Sequence, residues 1–429
     1  MLVDVPKNIQ QQRAVPVFPR EVTLRGYSLE AKASDESLRQ ILDLLEKAER
    51  PVLYVGGGII TSGASEELRK FAHTVGLPVT TTIMGSGAYP EQDPLSLKFL
   101  GMHGSAYANW AVAEADLLLA FGVRFDDRVT GNVKKFCEHG TIVHIDIDPS
   151  EINKNKVTNL AIISDVKYAL GRLNELLAKQ PVQKRFEAWQ QRVAALKTKG
   201  PLSYQITDEV LKSQHVKDFM GGDANQVIMP QEAIQLLYEL TGGEAIITTG
   251  VGQHQMWAAQ YYHFKHPRQW LTSAGLGAMG YGYPAALGAK VARPDKQVVD
   301  IDGDGSFLMN IQELAMAHIE KIAAKAMILN NQHLGMVMQW EDRFYKGNRG
   351  HTYLGDPDNM KQIYPDYVAM AKGFNVPCER VIYKRDLRAA MQRMLDSDQP
   401  FVLDVMTPYS EHVLPFIPAG KTVNEMIWQ

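Results

Sequence analysis

Short apolar runs alternate along most of the chain with stretches whose apolar residues recur every three or four positions. The first such stretch begins at Asp35 and places Leu38, Leu42 and Leu45 on one face of a helix. Strand-like runs follow at 51–55, 78–82, 115–121 and 141–146. A second series runs through 244–249, 297–301, 326–329 and 401–405. Continuous apolar strands separated by helical patterns predict parallel sheets covered on both faces. The expected fold class is therefore α/β, with two doubly wound parallel-sheet domains at 35–185 and 230–429. A charged, glutamine-rich helical region near 180–199 and a poorly periodic tract near 201–226 predict a linker over 186–229. Residues 8–34 are polar and interrupted by Pro16 and Pro19, which predicts another linker. The opening residues 2–5 echo 402–405, each reading Leu-Val-Asp-Val or its near match. The expectation is that residues 1–34 hold the last strand of a further N-terminal domain, then connecting chain.

Composition narrows the class without changing it. The chain has 429 residues, 45% hydrophobic and 22% charged, with a net charge of −3. These are globular values, and no basic excess points to a nucleic-acid or membrane partner. The two cysteines, Cys137 and Cys378, fit no zinc or redox spacing and read as free thiols of a reducing compartment. The N-terminus lacks the pattern of a signal peptide.

One motif carries chemistry. Gly303, Asp304 and Gly305 are followed by Ser306 and Phe307, and residues 306–329 separate this group from Asn330 and Asn331. The pattern reads as strand, glycine turn, helix, strand, polar turn. Two adjacent parallel strands then end together at the carboxyl edge, where open α/β sheets bind ligands. Asp304 and Asn331 offer the hard oxygens that Mg2+ prefers. The helix start offers free N–H groups to phosphate. An EF-hand loop beginning at Asp300 is excluded, because its twelfth position is Ile311 and a β-like run precedes it. A plain acidic turn capping a helix is the other reading of the glycines, and the paired asparagines weigh against it.

This spacing is the thiamine-diphosphate signature. The sequence resembles the acetohydroxyacid synthase catalytic subunits within that enzyme group. The resemblance runs through 55–58, 100–104, 121–131, 144–148, 250–257, 275–280, 330–340 and 411–415. It implies Mg2+ ligation by Asp304, Asn331 and the carbonyl of His333. It implies thiamine diphosphate contacts from Gln253, His254, Gly277, Ala278, Gly305, Ser306, Leu334, Gly335 and Met336, with Met279 as the apolar wedge under the cofactor. Met279 also fits plain core. The middle domain is implied to bind FAD, structurally, through Gly57, Thr82, Ile83, Leu100, Gly101, Met102, His103, Gly122, Val123, Arg124, Phe125, Asp126, Asp146, Ile147, Asp165 and Val166. From the residues alone, the glycines after the first strand and an acid such as Asp146 suit a nucleotide but equally a turn or helix cap. Arg128 and Trp340 are implied to shape the substrate pocket, where a guanidinium matches a 2-oxo acid carboxylate. Arg128 also fits a surface salt bridge, and Trp340 a buried anchor. Ala419 falls in the C-terminal segment that covers the site in this family.

The implied reaction joins pyruvate, after loss of carbon dioxide, to pyruvate or 2-oxobutanoate, giving 2-acetolactate or 2-aceto-2-hydroxybutanoate. The resemblance further implies a homo-oligomer, a place for a small regulatory subunit, and the cytoplasm or, in a plant or alga, the plastid stroma. The family's N-terminal domain supplies the glutamate that activates the cofactor, and no motif for it is expected within these residues. Two alternatives stand beside this: a non-catalytic cofactor-binding fragment, and a related thiamine-diphosphate lyase of 2-oxo acids.

Overall fold

The computed structural model describes residues 3–20 and 31–428. They fall into two compact units, Met1–Ala31 and Lys32–Gln429. In the first, Lys7–Gln10 is a short helix and the remaining described residues are irregular. Of the strand expected at the start of the chain, the described residues 3–6 form none. Val3 and Val5 are exposed, and Val3 to Pro6 pair with nothing in a ladder. An isolated strand has no partner for its backbone groups and leaves its apolar face in water. Residues 21–30 of the expected linker, and Leu2, lie outside the described residues.

The second unit contains two six-stranded parallel sheets. Strands β1 (Pro51–Val55), β2 (Val79–Thr81), β3 (Ser96–Phe99), β4 (Leu117–Phe121), β5 (Thr141–Asp146) and β6 (Leu160–Ile163) form the first, in the order β3-β2-β1-β4-β5-β6. This is the doubly wound order with a switch between β1 and β4. Strands β7 (Ile246–Thr249), β8 (Trp270–Thr272), β9 (Val298–Gly303), β10 (Lys325–Asn330), β11 (Cys378–Val381) and β12 (Phe401–Met406) form the second, ordered β11-β12-β10-β9-β7-β8. The expected α/β class and both parallel sheets are thus realised. Every residue of β1, β4, β9 and β10 is buried, as strands covered on both faces require. The pattern had located the inner strands. The four outside that pattern, β3, β6, β8 and β11, all lie at sheet edges.

The expected linker at 186–229 needs correction. Helix Glu187–Lys199 buries Trp189, Val193 and Leu196 in the first core, and the Trp189 indole N–H donates to the Pro51 carbonyl at 2.9 Å. It is a covering helix of the first sheet. Beyond it, Val210, Val216, Met220, Val227 and Met229 form a small cluster with Met406, so this tract is packed rather than free connector.

The two halves of the second unit meet through polar groups cut off from water. Lys98 and Glu91 are 4% and 7% exposed, with Nζ 3.6 Å from Oε2. The Glu91 backbone N–H donates to the Phe264 carbonyl at 3.0 Å, and Lys98 Nζ donates to the Gln260 carbonyl. Gln260 Nε2 reaches back to the His103 carbonyl at 2.9 Å. The C-terminal segment adds a second tie: the Phe416 ring stacks on His103, centroids 5.0 Å apart, and the Ile417 N–H donates to the Met102 carbonyl at 2.8 Å.

Candidate active site

Parallel pairing fixes what meets at the carboxyl edge of the second sheet. Leu329 pairs with Gly303 and Thr249 with Ile301, so Gly250, Asp304 and Asn331 leave three neighbouring strands side by side. The sheet order reverses here, between β7 and β9, and the crevice at such a point is the usual ligand site. A cleft of about 530 Å³ opens there. Gln253, His254, Met279, Asp304, Gly305, Ser306, Asn331, His333, Leu334, Gly335 and Met336 all line it, so the structure brings most of the expected thiamine-diphosphate and metal residues together. Gly277 and Ala278 stand on an exposed loop beside it, next to Leu276, which is 97% exposed.

Glycine is required where backbone and side chains crowd. A Cβ on Gly250 would lie 2.0 Å from Ser306 Oγ and 2.1 Å from Asp302 Oδ1. Ser306 Oγ accepts the N–H of Val251 at 3.3 Å and of Gly280 at 3.0 Å, tying two loops of the cleft to the turn after β9. His254 is buried, with Nε2 3.1 Å from Asp302 Oδ1.

Asp304 is 2% exposed, and its Oδ2 has no hydrogen-bond partner in the protein. Burial pushes its carboxyl up to about 8, against the pull of backbone N–H groups of Gly305 and Gln332. A buried carboxylate with a free oxygen and no cationic side chain is costly unless something positive joins it. Beside it, Asn331 turns its Oδ1 to the His333 N–H at 3.0 Å. Among the described residues no three His, Cys, Asp or Glu side chains could share a metal. The donor set here is instead one carboxylate, one amide oxygen and nearby carbonyls, which suits Mg2+ and excludes a zinc-type site. The His333 ring is turned away from such a role: Nδ1 lies 2.8 Å from the Asn331 carbonyl and the ring stacks on Tyr409 at 4.4 Å.

Several groups that support this edge carried no recognisable motif. Tyr367 donates to the Asp304 carbonyl at 2.7 Å. Asp404, fully buried, accepts from Asn330 Nδ2 at 2.9 Å and from Arg380 Nε at 2.6 Å. Gln339, also fully buried, touches Gln253 and Val413. Glu411 accepts from Gln231 at 2.7 Å, and burial raises its carboxyl to about 7. What each of them supports is revealed only by its tertiary contacts.

The first sheet gathers the other expected set at its own carboxyl edge. Gly57 follows β1, Thr82 and Ile83 follow β2, and residues 100–103 follow β3. Gly122, Val123, Arg124, Phe125 and Asp126 follow β4, Asp146 and Ile147 close β5, and Asp165 and Val166 come after β6. Gly58 and Gly122 are in backbone contact, where a Cβ on Gly58 would sit 2.7 Å from the Gly122 Cα. Three acids hold their own turns: Asp126 accepts the Arg128 N–H, Asp146 the Asp148 N–H and Asp165 the Tyr168 N–H. A guanidinium nitrogen of Arg124 lies 3.9 Å from where a Gly275 Cβ would stand.

Arg128 and Trp340 do not line the cleft. The Arg128 side chain is 65% exposed, with Nη1 3.4 Å from Asp127. Trp340 packs on Phe344 and Phe416, centroids 5.0 and 5.4 Å away, and Phe416 continues the stack to His103. Ala419 is exposed beyond that stack.

Residues 38–173 match the domain described as thiamine pyrophosphate enzyme, central domain, and residues 250–405 match the C-terminal TPP binding domain of the same enzymes. The whole chain aligns with acetolactate synthase 1, chloroplastic, of Zea mays at 56% identity. It aligns at 56% with acetolactate synthase 1, chloroplastic, of Oryza sativa subsp. japonica and at 52% with acetolactate synthase, chloroplastic, of Arabidopsis thaliana. The chain spans 65%, 64% and 62% of the length of these relatives. Its two sheets lie in the two matched domains and its cleft in the one named for thiamine pyrophosphate, so the chain carries the central and C-terminal domains of thiamine pyrophosphate enzymes and is homologous along its length to acetolactate synthases.

Proposed function

We propose that this protein acts as an acetolactate synthase. Pyruvate loses carbon dioxide, and the remaining two-carbon unit joins a second 2-oxo acid to give 2-acetolactate or, with 2-oxobutanoate, 2-aceto-2-hydroxybutanoate. The observation that carries this reading is the Asp304–Asn331 pair at adjacent strand ends, inside the cleft of a chain more than half identical to acetolactate synthases. Thiamine diphosphate, when bound, supplies the electron sink that makes the decarboxylation possible.

The chain's own groups bind and orient. Asp304 and Asn331, with the His333 carbonyl, hold Mg2+ against the diphosphate. Backbone N–H groups around Gly252–His254 and Gly303–Ser306 face the same anion. Met279 stands across the cleft as its apolar wall. FAD belongs at the carboxyl edge of the first sheet, along the glycines of β1 and β4. Trp340 and the Phe416 stack bound the acceptor side, and Arg128 offers the 2-oxo acid carboxylate a guanidinium. The names of the relatives favour the plastid stroma as the compartment. No helix among the described residues is long and apolar enough to cross a membrane.

The test is calorimetric titration of thiamine diphosphate with Mg2+ into the protein and its Asp304→Asn variant, followed by acetolactate formation from pyruvate with FAD added. Binding that is lost with Asp304, together with acetolactate as product, supports the reading. Binding indifferent to Asp304, or decarboxylation of pyruvate yielding free acetaldehyde alone, overturns it.

A further inference from the structure

A hard cation binds the carbonyl oxygen of an asparagine, not its NH2. The two ends of an amide have nearly the same shape, so neighbouring hydrogen bonds must decide which end faces the metal. In this protein that decision is traceable to a fixed point. The backbone of Val413 can only donate through its N–H and accept through its carbonyl. Gln339 meets both, with Oε1 2.8 Å from the Val413 nitrogen and Nε2 3.2 Å from its oxygen. The Gln339 amide therefore has one possible orientation. Its Oε1 lies 3.1 Å from the terminal amide of Gln253, and the Glu411 carbonyl lies 3.0 Å from the same atom. Two acceptors converge there, so that atom must be nitrogen. Gln253 Oε1 consequently points the other way, 3.4 Å from Asn331, and demands a donor. Asn331 answers with its NH2, which agrees with its Oδ1 accepting the His333 N–H at 3.0 Å.

We propose that Gln339 is a positioning residue that reinforces the amide polarity of the metal ligand Asn331 through Gln253, alongside the direct bond from the His333 N–H. This rests on the assignment of Asn331 as a Mg2+ ligand. Gln339 is fully buried and reaches neither the cleft nor the expected substrate contacts. The space it acts through is kept clear by Gly335, one turn earlier on the helix Gly335–Phe344. A Cβ on Gly335 would lie 2.1 Å from Gln253 Oε1 and 2.8 Å from Asn331 Nδ2. Two residues of one helix face thus serve one relay, the first by its side chain and the second by having none.

The experiment is Mn2+ binding to the full chain in the presence of thiamine diphosphate, read from the paramagnetic resonance signal of free Mn2+. Losing a group that orients a metal ligand typically weakens metal binding about 10- to 100-fold. Gln339→Met is expected to fall in that range, and Gly335→Ala with it. Gln339→Glu should recover to within about threefold, because burial favours the neutral acid, whose hydroxyl donates to the Val413 carbonyl while its other oxygen accepts. Unchanged Mn2+ affinity in Gln339→Met overturns the relay, and should that variant not fold, unchanged affinity in Gly335→Ala does so. Equal losses in the Met and Glu variants overturn it too, since packing alone would then explain them. Asp304→Asn separates the two levels of the argument. If it leaves Mn2+ binding intact, the metal site itself is misassigned; if it abolishes binding while the relay variants do not, only the relay fails.

Discussion

Replacing Lys98 by methionine removes the cation from the ion pair that joins the two α/β halves. Methionine fills nearly the same volume, so the change is chiefly electrostatic. Glu91 would remain 7% exposed, with the Phe264 backbone N–H but no positive partner. Stranding one member of a buried pair costs roughly 3–5 kcal/mol. The loss of the Lys98 contact with the Gln260 carbonyl falls within that range. Glu91 can soften the cost by taking up a proton, and burial already pushes its carboxyl well above the usual range. The sign of the pH dependence follows. In the unfolded chain the group titrates near its ordinary value of about 4.3. In the folded variant it titrates higher, so ionisation opposes folding as pH rises between the two values. The destabilisation should be small near pH 5 and reach its full size above neutrality. Urea unfolding at pH 5, 7 and 8 measures it, and the double variant Lys98→Met, Glu91→Gln should recover at least half of the loss at pH 8. A loss under about 1 kcal/mol at pH 8, or one that does not vary with pH, would refute this account of the junction.

Two further changes probe the site. Gly250→Ala forces a methyl group against Ser306 Oγ and Asp302 Oδ1; it should cost about 1–3 kcal/mol by overpacking and weaken thiamine diphosphate binding, both visible in thermal melts with and without the cofactor. Glu411→Gln keeps the bond to Gln231 but removes a carboxyl raised to about 7 by burial. Such a group destabilises the fold as pH rises from its unfolded value through 7, so the variant should match the parent near pH 4 and gain up to about 3 kcal/mol at pH 8, measured by urea unfolding.

How much of this could be read from the residues differs by place in the sheet. Inner strands such as β4 and β10 are buried on both faces, and their unbroken apolar runs announce them. Edge strands face different demands. In β11, Glu379 and Arg380 reach ion-pair partners and interrupt any apolar run, whereas β6 is a short apolar run of which Ala161 and Ile163 are exposed. Helix Glu187–Lys199 is legible as a helix but its charge points to a linker, although Trp189, Val193 and Leu196 stand at helical spacing for a core. At the site, Asp304 and Asn331 were legible because strand-end position and hard-oxygen chemistry coincide in one local motif. Gln339 and Glu411 were not, since their meaning depends on Val413 and Gln231, distant in sequence. For Arg128 the chemistry of a guanidinium was legible but its place was not: the fold sets it at the surface beside Asp127.

The segment around Val413 has a consequence for how the protein matures. It pairs with Gln339 across 74 residues, and just beyond it Phe416 and Ile417 lie against the first half of the molecule. All the strands, the glycine turn and the paired asparagines precede Val413 in the chain. Until Val413 is in place, Gln339 lacks the backbone pair that orients it, and Asn331 keeps the His333 N–H as its guide. The full set of bonds that orients the metal ligand is thus completed only when the residues around Val413 settle.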